Sequence, residues 1–378
     1  MIYTLKHFDT PLLRFSAESG ADARIEILWV NEDKKAFLPL EFQGTVSDAS
    51  LESWLRRRTI PKNRAYVDTI LTSMGLSLNR PLNVIRLSKG LSLNDCYWVT
   101  EEGFEGRFDK YNLYDNRFSR ILGEIAFTGY SSTHSSILTS SPEFTTNGML
   151  PKCWRRVKGD IRLYKGGTEG ASNTGNEPYS EFYACQIAET LGVNAICYNL
   201  TKWKGRICSF CNLFTSKQKS FIPAGRLVTK GGMPAVRAFY ETFGSDYVAA
   251  LNEMIVFDAI IYNTDRHFGN FGFLVDSHTN QIVAPAPLFD HGNSLFNFAP
   301  VNAFEDLPSI QNYAQKLLPC VYDDYVAEAK AVITHSQRNA LRKLLNFKFK
   351  RNPQYNWSNQ RLTMVEKMVS ERAKEILD

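Results

Sequence analysis

At 378 residues, with 44% hydrophobic and 22% charged content, the chain is long enough for two or three packed layers around a sizeable core, which excludes a disordered or low-complexity protein. A net charge of +5 is too mild to mark a nucleic-acid or membrane binder, although it suits an anionic substrate. Seven cysteines without a paired framework point to a reducing compartment and away from a disulfide scaffold.

The N-terminus, MIYTLKHFDTPLLRF, lacks the basic flank, apolar run and cleavage site of a secretory leader. No window reaches a membrane span, so the expected location is cytoplasmic. Ile2 to Leu5, Leu12 to Phe15 and Ile25 to Val30 read as short strands. Ser50 is placed to cap a helix beginning LESWLRRR, and Gly75 to close the helical run after Pro61. The three arginines Arg56 to Arg58 read as a solvated helix face. The stretch EEGFEGRFDKYNLYDNRFS suits an ordered surface loop with aromatic anchors.

Residues 128 to 147 are dense in Ser and Thr and read as a loop. Ser131, Ser132, Ser135, Ser136, Ser140 and Ser141 are candidate sites of self-phosphorylation there. Two alternating runs, Cys153 to Val157 and Ile161 to Tyr164, then flank the turn KGD and form a hairpin ending at Lys165. A strand-borne lysine is what nucleotide kinases use to hold the α and β phosphates. The following GGTEGASNTGNEPYS is a glycine-rich surface loop with neither a GxGxxG nor a Walker pattern.

A helix through EFYACQIAETLGVN, closed by Gly192, places Glu181 at its start, where it can pair with Lys165. Ala195 to Tyr198 and Arg206 to Phe210 read as strands. Cys208 and Cys211 form a CxxC in the second of them, but nothing nearby completes a zinc site. Val248, Leu251, Met254, Ile255 and Ile261 make an almost wholly apolar helix, with Asp258 as a structural acid inside it. Ser336 and Ser358 are expected to cap two further helices.

Directly after the apolar helix come Asp265, Asn270 and Asp290, separated by two β-prone runs around the turn DSHTN. A hairpin there returns the first two residues to the third. Phosphoryl transfer needs a carboxylate near the acceptor hydroxyl and oxygen ligands that hold magnesium on the nucleotide. Asp265, Asn270 and Asp290 supply those groups in that order, at the spacing of a kinase catalytic loop. The histidine, His267, follows the aspartate, the reverse of the usual kinase order. It either fixes the loop or shares the proton transfer.

With DRHFGN and FDHGNS the chain resembles the HipA-like serine/threonine kinases, and also the phosphatidylinositol 3- and 4-kinases. The HipA-like resemblance is the sharper, because that family's G-x-x-P-K phosphate loop is matched by Gly148, Pro151 and Lys152, ahead of a strand ending in its nucleotide lysine, here Lys165. It implies a helix glutamate, Glu181, and a hinge contact at Asn212, although the family's acidic-Arg-Phe run is replaced here by Asn212, Leu213 and Phe214.

The expected fold is α+β: a two-lobed protein-kinase-like fold with a small β-rich nucleotide lobe and a larger helical lobe. The expected division is an N-terminal accessory region over 1–130, the nucleotide lobe over 131–215 and the helical lobe over 216–378. The resemblance implies ATP and Mg2+ as cofactors and a protein Ser or Thr hydroxyl as acceptor. The alternatives are a phosphoinositide-kinase-like lipid kinase, or a kinase-shaped toxin or regulator acting with a small helix-turn-helix antitoxin. Direct nucleic-acid binding is not expected.

Overall fold

The structure, a computed structural model, describes residues 1–18, 24–77, 79–130, 140–171 and 173–378. Its contacts divide the chain into two compact units. The first holds Met1–Lys165, Asn212–Ile222 and Leu274–Val283; the second holds Gly166–Cys211, Pro223–Phe273 and Ala284–Asp378.

The first unit opens on β1 (Ile2–His7), β2 (Thr10–Ala17) and β3 (Ile25–Val30), the expected strands. With β4 (Tyr97–Glu101) they form one sheet in the order β3-β2-β1-β4. Alternation decides the faces: on β1, Tyr3, Leu5 and His7 point inward. Against that face packs α1 (Asp48–Arg57), whose Leu51, Trp54 and Leu55 join Phe15, Tyr97 and Val99 in one core. The helix is capped by Ser47 and not by Ser50. The two serines exchange side-chain to backbone bonds as a capping box, which starts the helix a turn earlier than read from the sequence.

Arg58 is likewise no solvated residue. It is 7% exposed, pairs with Asp95, donates to the Gly90 carbonyl at 3.0 Å and lies 4.2 Å over the Trp54 ring. The next helices are α2 (Val67–Thr72), capped by Ser73 with Gly75 in a left-handed turn beyond it, α3 (Pro81–Ser88) and α4 (Arg120–Thr128). The aromatic loop is ordered as expected: Trp98 meets Phe104 and Phe108 edge-on, and Phe108 and Leu113 are buried.

Ser131, Ser132, Ser135 and Ser136 lie outside the described residues. Ser140 Oγ donates to the Ser88 carbonyl at 3.0 Å, and the full burial of Ser141 argues against it as an acceptor. β5 (Lys152–Val157) and β6 (Asp160–Gly166) form the expected hairpin, turning on Lys158 and Gly159 at φ 52° and 94°.

The second unit begins with α5 (Glu177–Leu191), closed by Gly192. It starts a turn before the expected boundary, with Pro178 in the first turn, where its missing N–H costs nothing. β7 (Asn199–Trp203) pairs with β8 (Arg206–Asn212) across Lys204 and Gly205, both at positive φ. That tight turn sets the register and puts the strand after Tyr198 instead of over Ala195 to Tyr198, where Ala195 makes a single bridge to Leu288. β9 (Lys219–Pro223), which up to Ile222 belongs to the first unit, follows. Then come α6 (Ala224–Leu227), α7 (Gly232–Glu241) and α8 (Ser245–Ile261).

The hairpin predicted between Asn270 and Asp290 is present as β10 (Gly272–Asp276) and β11 (Gln281–Pro285), in a sheet ordered β11-β10-β9. Its turn, within Leu274–Val283, belongs to the first unit, where Asn280 Nδ2 donates to the Ala36 and Leu38 carbonyls at 2.8 and 2.9 Å. The chain closes with α9 (Leu307–Ala314), α10 (Tyr325–Val332), α11 (His335–Leu341) and α12 (Asn359–Leu377). Ser358 caps α12 as expected. Thr334, not Ser336, caps α11, because Gln337 completes its capping box. No described helix is long and apolar enough to cross a membrane.

Candidate active site

The site grows from the end of α8. Leu251 and Met254 through Ile261 are all buried, so the helix is apolar on every side, yet Asp258 sits among them at 0% exposure. A carboxylate there persists only with a partner. The partner is Arg266, 1% exposed, whose Nε and Nη2 donate to the two Asp258 oxygens at 2.8 and 3.0 Å. Asn263 Nδ2 donates to Oδ1 at 2.9 Å. Burial alone would lower the Arg266 pKa, but the Asp258 charge outweighs it and holds the guanidinium above its ordinary value.

Arg266 then spends its remaining donors on the loops. Nη1 donates to the Asn270 carbonyl at 3.1 Å and to the Phe289 carbonyl at 2.6 Å, and Nη2 meets His291 Nδ1 at 3.0 Å. One buried cation thus ties the loop carrying Asp265 and Asn270 to the residue before Asp290. The sequence marks Asp258 as a structural acid. It acts through Arg266, a residue the reading passed over.

Asp265 is half-buried. Its N–H donates to Asn263 Oδ1 at 3.1 Å, and its carbonyl accepts from His267 N at 2.9 Å and Asn270 Nδ2 at 3.1 Å. That turns the Asn270 amide nitrogen to the loop backbone and leaves Oδ1 as the atom that could serve a metal, on a residue 5% exposed. Asp290 has φ 60°, the left-handed region that non-glycine residues seldom adopt, and its N–H donates to Tyr198 Oη at 3.1 Å. Burial holds the Tyr198 phenol well above its usual range. His267 is exposed, and its Nδ1 accepts from Gly269 N at 3.0 Å.

Glu181 is also in this unit, 1% exposed, with Ser209 Oγ donating to its Oε2. It does not open its helix. The first-turn acid is Glu177, which accepts from Thr168 N at 3.2 Å, and Glu181 stands one turn further in.

Gly148, Lys152, Lys165 and Asn212 belong to the first unit. Lys152 and Lys165 are cross-strand partners on β5 and β6, so their side chains leave the same face, both nearly buried. Lys152 Nζ donates to the Asn147 carbonyl at 3.0 Å. Gly148 lies against that ammonium at φ 92°, where a Cβ would collide with it. Asn212 is exposed at the end of β8.

The loop carrying Gly148 is clamped by a residue for which the sequence offered no motif. Arg64, 2% exposed, donates to the Thr146 carbonyl at 2.9 Å and to the Lys152 carbonyl at 2.7 Å, and pairs with Glu143 at 3.0 Å. Burial pushes the Glu143 carboxyl up to about 7, against the pull of Arg64 and of the Trp154 N–H, and lowers Arg64.

No family model matches the chain. The serine/threonine-protein kinase CtkA of Helicobacter pylori is 29% identical over 137 residues, 32% of this chain, and the match spans 41% of that curated relative's length. HipA of Shewanella oneidensis, solved with HipB and its operator DNA, superposes with a TM-score of 0.54 at 13% identity, over 100% of this chain and 99% of that one. In fold, the chain is HipA-like. The crystal structure of the H. pylori proinflammatory kinase CtkA also matches, at 20% identity and a TM-score of 0.47, over 60% of this chain and 91% of that one. The fold is mixed α/β with several sheets, as in HipA, and the sequence similarity is to a serine/threonine kinase.

Proposed function

We propose that this HipA-like chain is an ATP-dependent serine/threonine kinase that transfers the γ-phosphoryl group to a protein hydroxyl. The observation that carries the reading is the buried Asp258–Arg266 pair, from which one guanidinium nitrogen holds both Asn270 and Phe289 and so gathers Asp265, Asn270 and Asp290 in one unit. Asp265 orients the acceptor hydroxyl and takes its proton as that oxygen bonds to the γ-phosphorus and the bond to the β,γ-bridging oxygen breaks. Asn270 Oδ1 and the Asp290 carboxylate are the hard oxygen donors that magnesium prefers, and magnesium bound there would neutralise charge on the β and γ phosphates.

Lys152 and Lys165 carry nucleotide phosphates, Gly148 leaves room for them, and Glu181 is assigned to nucleotide binding. Asn212 meets the adenine through its backbone. His267 fixes the catalytic loop through Gly269. In the same reading the chain is two-lobed, with an accessory region over 1–130, a nucleotide lobe over 131–215 and a helical lobe over 216–378. Self-phosphorylation in the Ser/Thr-rich loop would regulate it.

A regulatory reading is supported by the HipA structure, which was solved with HipB and operator DNA. In that reading a small antitoxin-like partner would bind the chain. Calorimetric titration of the purified chain with ATP and magnesium tests the nucleotide site. Wild type should bind at micromolar to millimolar concentration, Lys165→Ala should weaken binding about tenfold or more, and Asp290→Ala should abolish the magnesium dependence. Unaltered binding in both variants would sink the assignment.

A further inference from the structure

Between Asp290 and Asn297 the backbone is forced into an unusual course. Asp290, Leu295 and Phe296 all have positive φ, at 60°, 50° and 61°, without a glycine among them. Strain of that kind persists only where the surroundings over-determine it. Here they do, and every anchor lies in the second unit. Ser180 Oγ donates to the Ser294 carbonyl at 2.9 Å, Ser294 Oγ to the His291 carbonyl at 2.6 Å, and Leu295 N to the Ile261 carbonyl at 2.8 Å. Arg361, 9% exposed, donates from Nη2 to the carbonyls of Phe296 and Asn297 at 2.8 and 3.3 Å.

These anchors present one side chain to the catalytic loop. Asn293 Nδ2 donates to Asp265 Oδ2 at 3.0 Å, and its Oδ1 accepts from Asn297 Nδ2 at 3.2 Å, which orients the amide with nitrogen toward the carboxylate. The Asn293 carbonyl accepts from Thr264 N at 3.1 Å and Thr264 Oγ1 at 3.3 Å, so the backbones on both sides of the contact are locked as well. Among the described residues, no other side chain or backbone N–H donates to either Asp265 carboxylate oxygen.

We propose that Asn293 is a positioning residue that ties down Asp265 Oδ2 and leaves Oδ1 aimed at the acceptor hydroxyl, with Asn297 and Arg361 behind it. The inference deepens the reading of Asp265 as the proton acceptor and rests on it. A single fixed amide donor has two effects. It removes rotation of the carboxylate about χ2, and it adds no charge that would compete with a cation at Asp290.

The test compares Asn293→Leu, near in size but without a donor, with Asn293→Asp, which replaces the donor by a second carboxylate about 3 Å from the first. In a phosphoryl-transfer assay both should lower kcat by about 10- to 100-fold while the KM for ATP stays within about twofold and the melting temperature within a few degrees. Unchanged turnover in Asn293→Leu would overturn the proposal, as would a joint collapse of kcat, ATP affinity and melting temperature.

A second readout needs no turnover. The side-chain amide resonance of Asn293 in 15N-labelled protein, assigned by its loss in Asn293→Leu, should shift on Asp265→Ala. If wild type transfers no phosphoryl group, the kinase reading has failed, and this resonance alone decides whether the contact exists. An unmoved resonance overturns it.

Discussion

Replacing Asp258 by Asn tests the foundation of the site. The change keeps the size and one acceptor but leaves the Arg266 guanidinium charged in a place where only 1% of the residue is exposed. Breaking a buried ion pair from one side costs about 3–5 kcal/mol, and the retained amide oxygen favours the lower end, about 3 kcal/mol. For a unit of roughly 200 residues that corresponds to a fall in Tm of about 6–12 °C. Thermal unfolding followed by circular dichroism measures it. Arg266→Met alone should lose a similar amount, since the Asn270 and Phe289 carbonyls lose their donor with the charge. The double variant should then lose far less than the sum, with a coupling energy of about 2–3 kcal/mol. Phosphoryl transfer should be lost in Arg266→Met and in the double variant, where the Asn270 and Phe289 carbonyls no longer share a donor, and reduced in Asp258→Asn, which keeps that donor but loosens its anchor. Losses that add within about 0.5 kcal/mol would refute the reasoning.

In the first unit, burial lowers the His7 pKa to about 4, so the unfolded chain binds the proton more tightly and the neutral ring's stability is present above about 6.5 and lost as pH falls toward 4. Stability of His7→Phe minus wild type should therefore rise by at most about 3 kcal/mol over that window, and a flat difference in urea unfolding would contradict it. Arg64→Met should cost about 3 kcal/mol and release both ends of the Gly148 loop, so ATP affinity should fall with stability; calorimetry showing full affinity would contradict the clamp. Gly148→Ala should weaken ATP binding severalfold while leaving the melting temperature within about 4 °C, since φ 92° and the nearby Lys152 ammonium both oppose a Cβ.

Much of the frame was legible because it rests on local chemistry. The strands at both hairpins, the capping of α12 by Ser358, the Gly192 stop and the apolar run of α8 all follow from alternation, caps and periodicity, and the hairpin between Asn270 and Asp290 follows from DSHTN. The errors fall where a neighbour decides. Ser47 and Thr334 won their caps by reciprocal bonds with Ser50 and Gln337, β7 slid past Tyr198 to suit a two-residue turn, and Pro178 pulled the start of α5 forward so that Glu181 became an interior residue. The arginines were the least legible. Arg58 read as part of a solvated face, and Arg64, Arg266 and Arg361 drew no reading at all, yet each is buried on carbonyls or a carboxylate elsewhere in the chain, and no sequence pattern marks such a partner. The one available hint was a lone aspartate inside an apolar helix, which demands a cation.

The central claim is that Asp265, Asn270 and Asp290 form one phosphoryl-transfer site. Incubating the purified chain with γ-labelled ATP, magnesium and a mixture of protein acceptors measures it most directly, with Asp265→Ala and Asp290→Ala in parallel. The account predicts alkali-labile label on Ser or Thr with wild type and none above background with either variant. Equal label in all three samples, or none with wild type at any magnesium concentration, would contradict it.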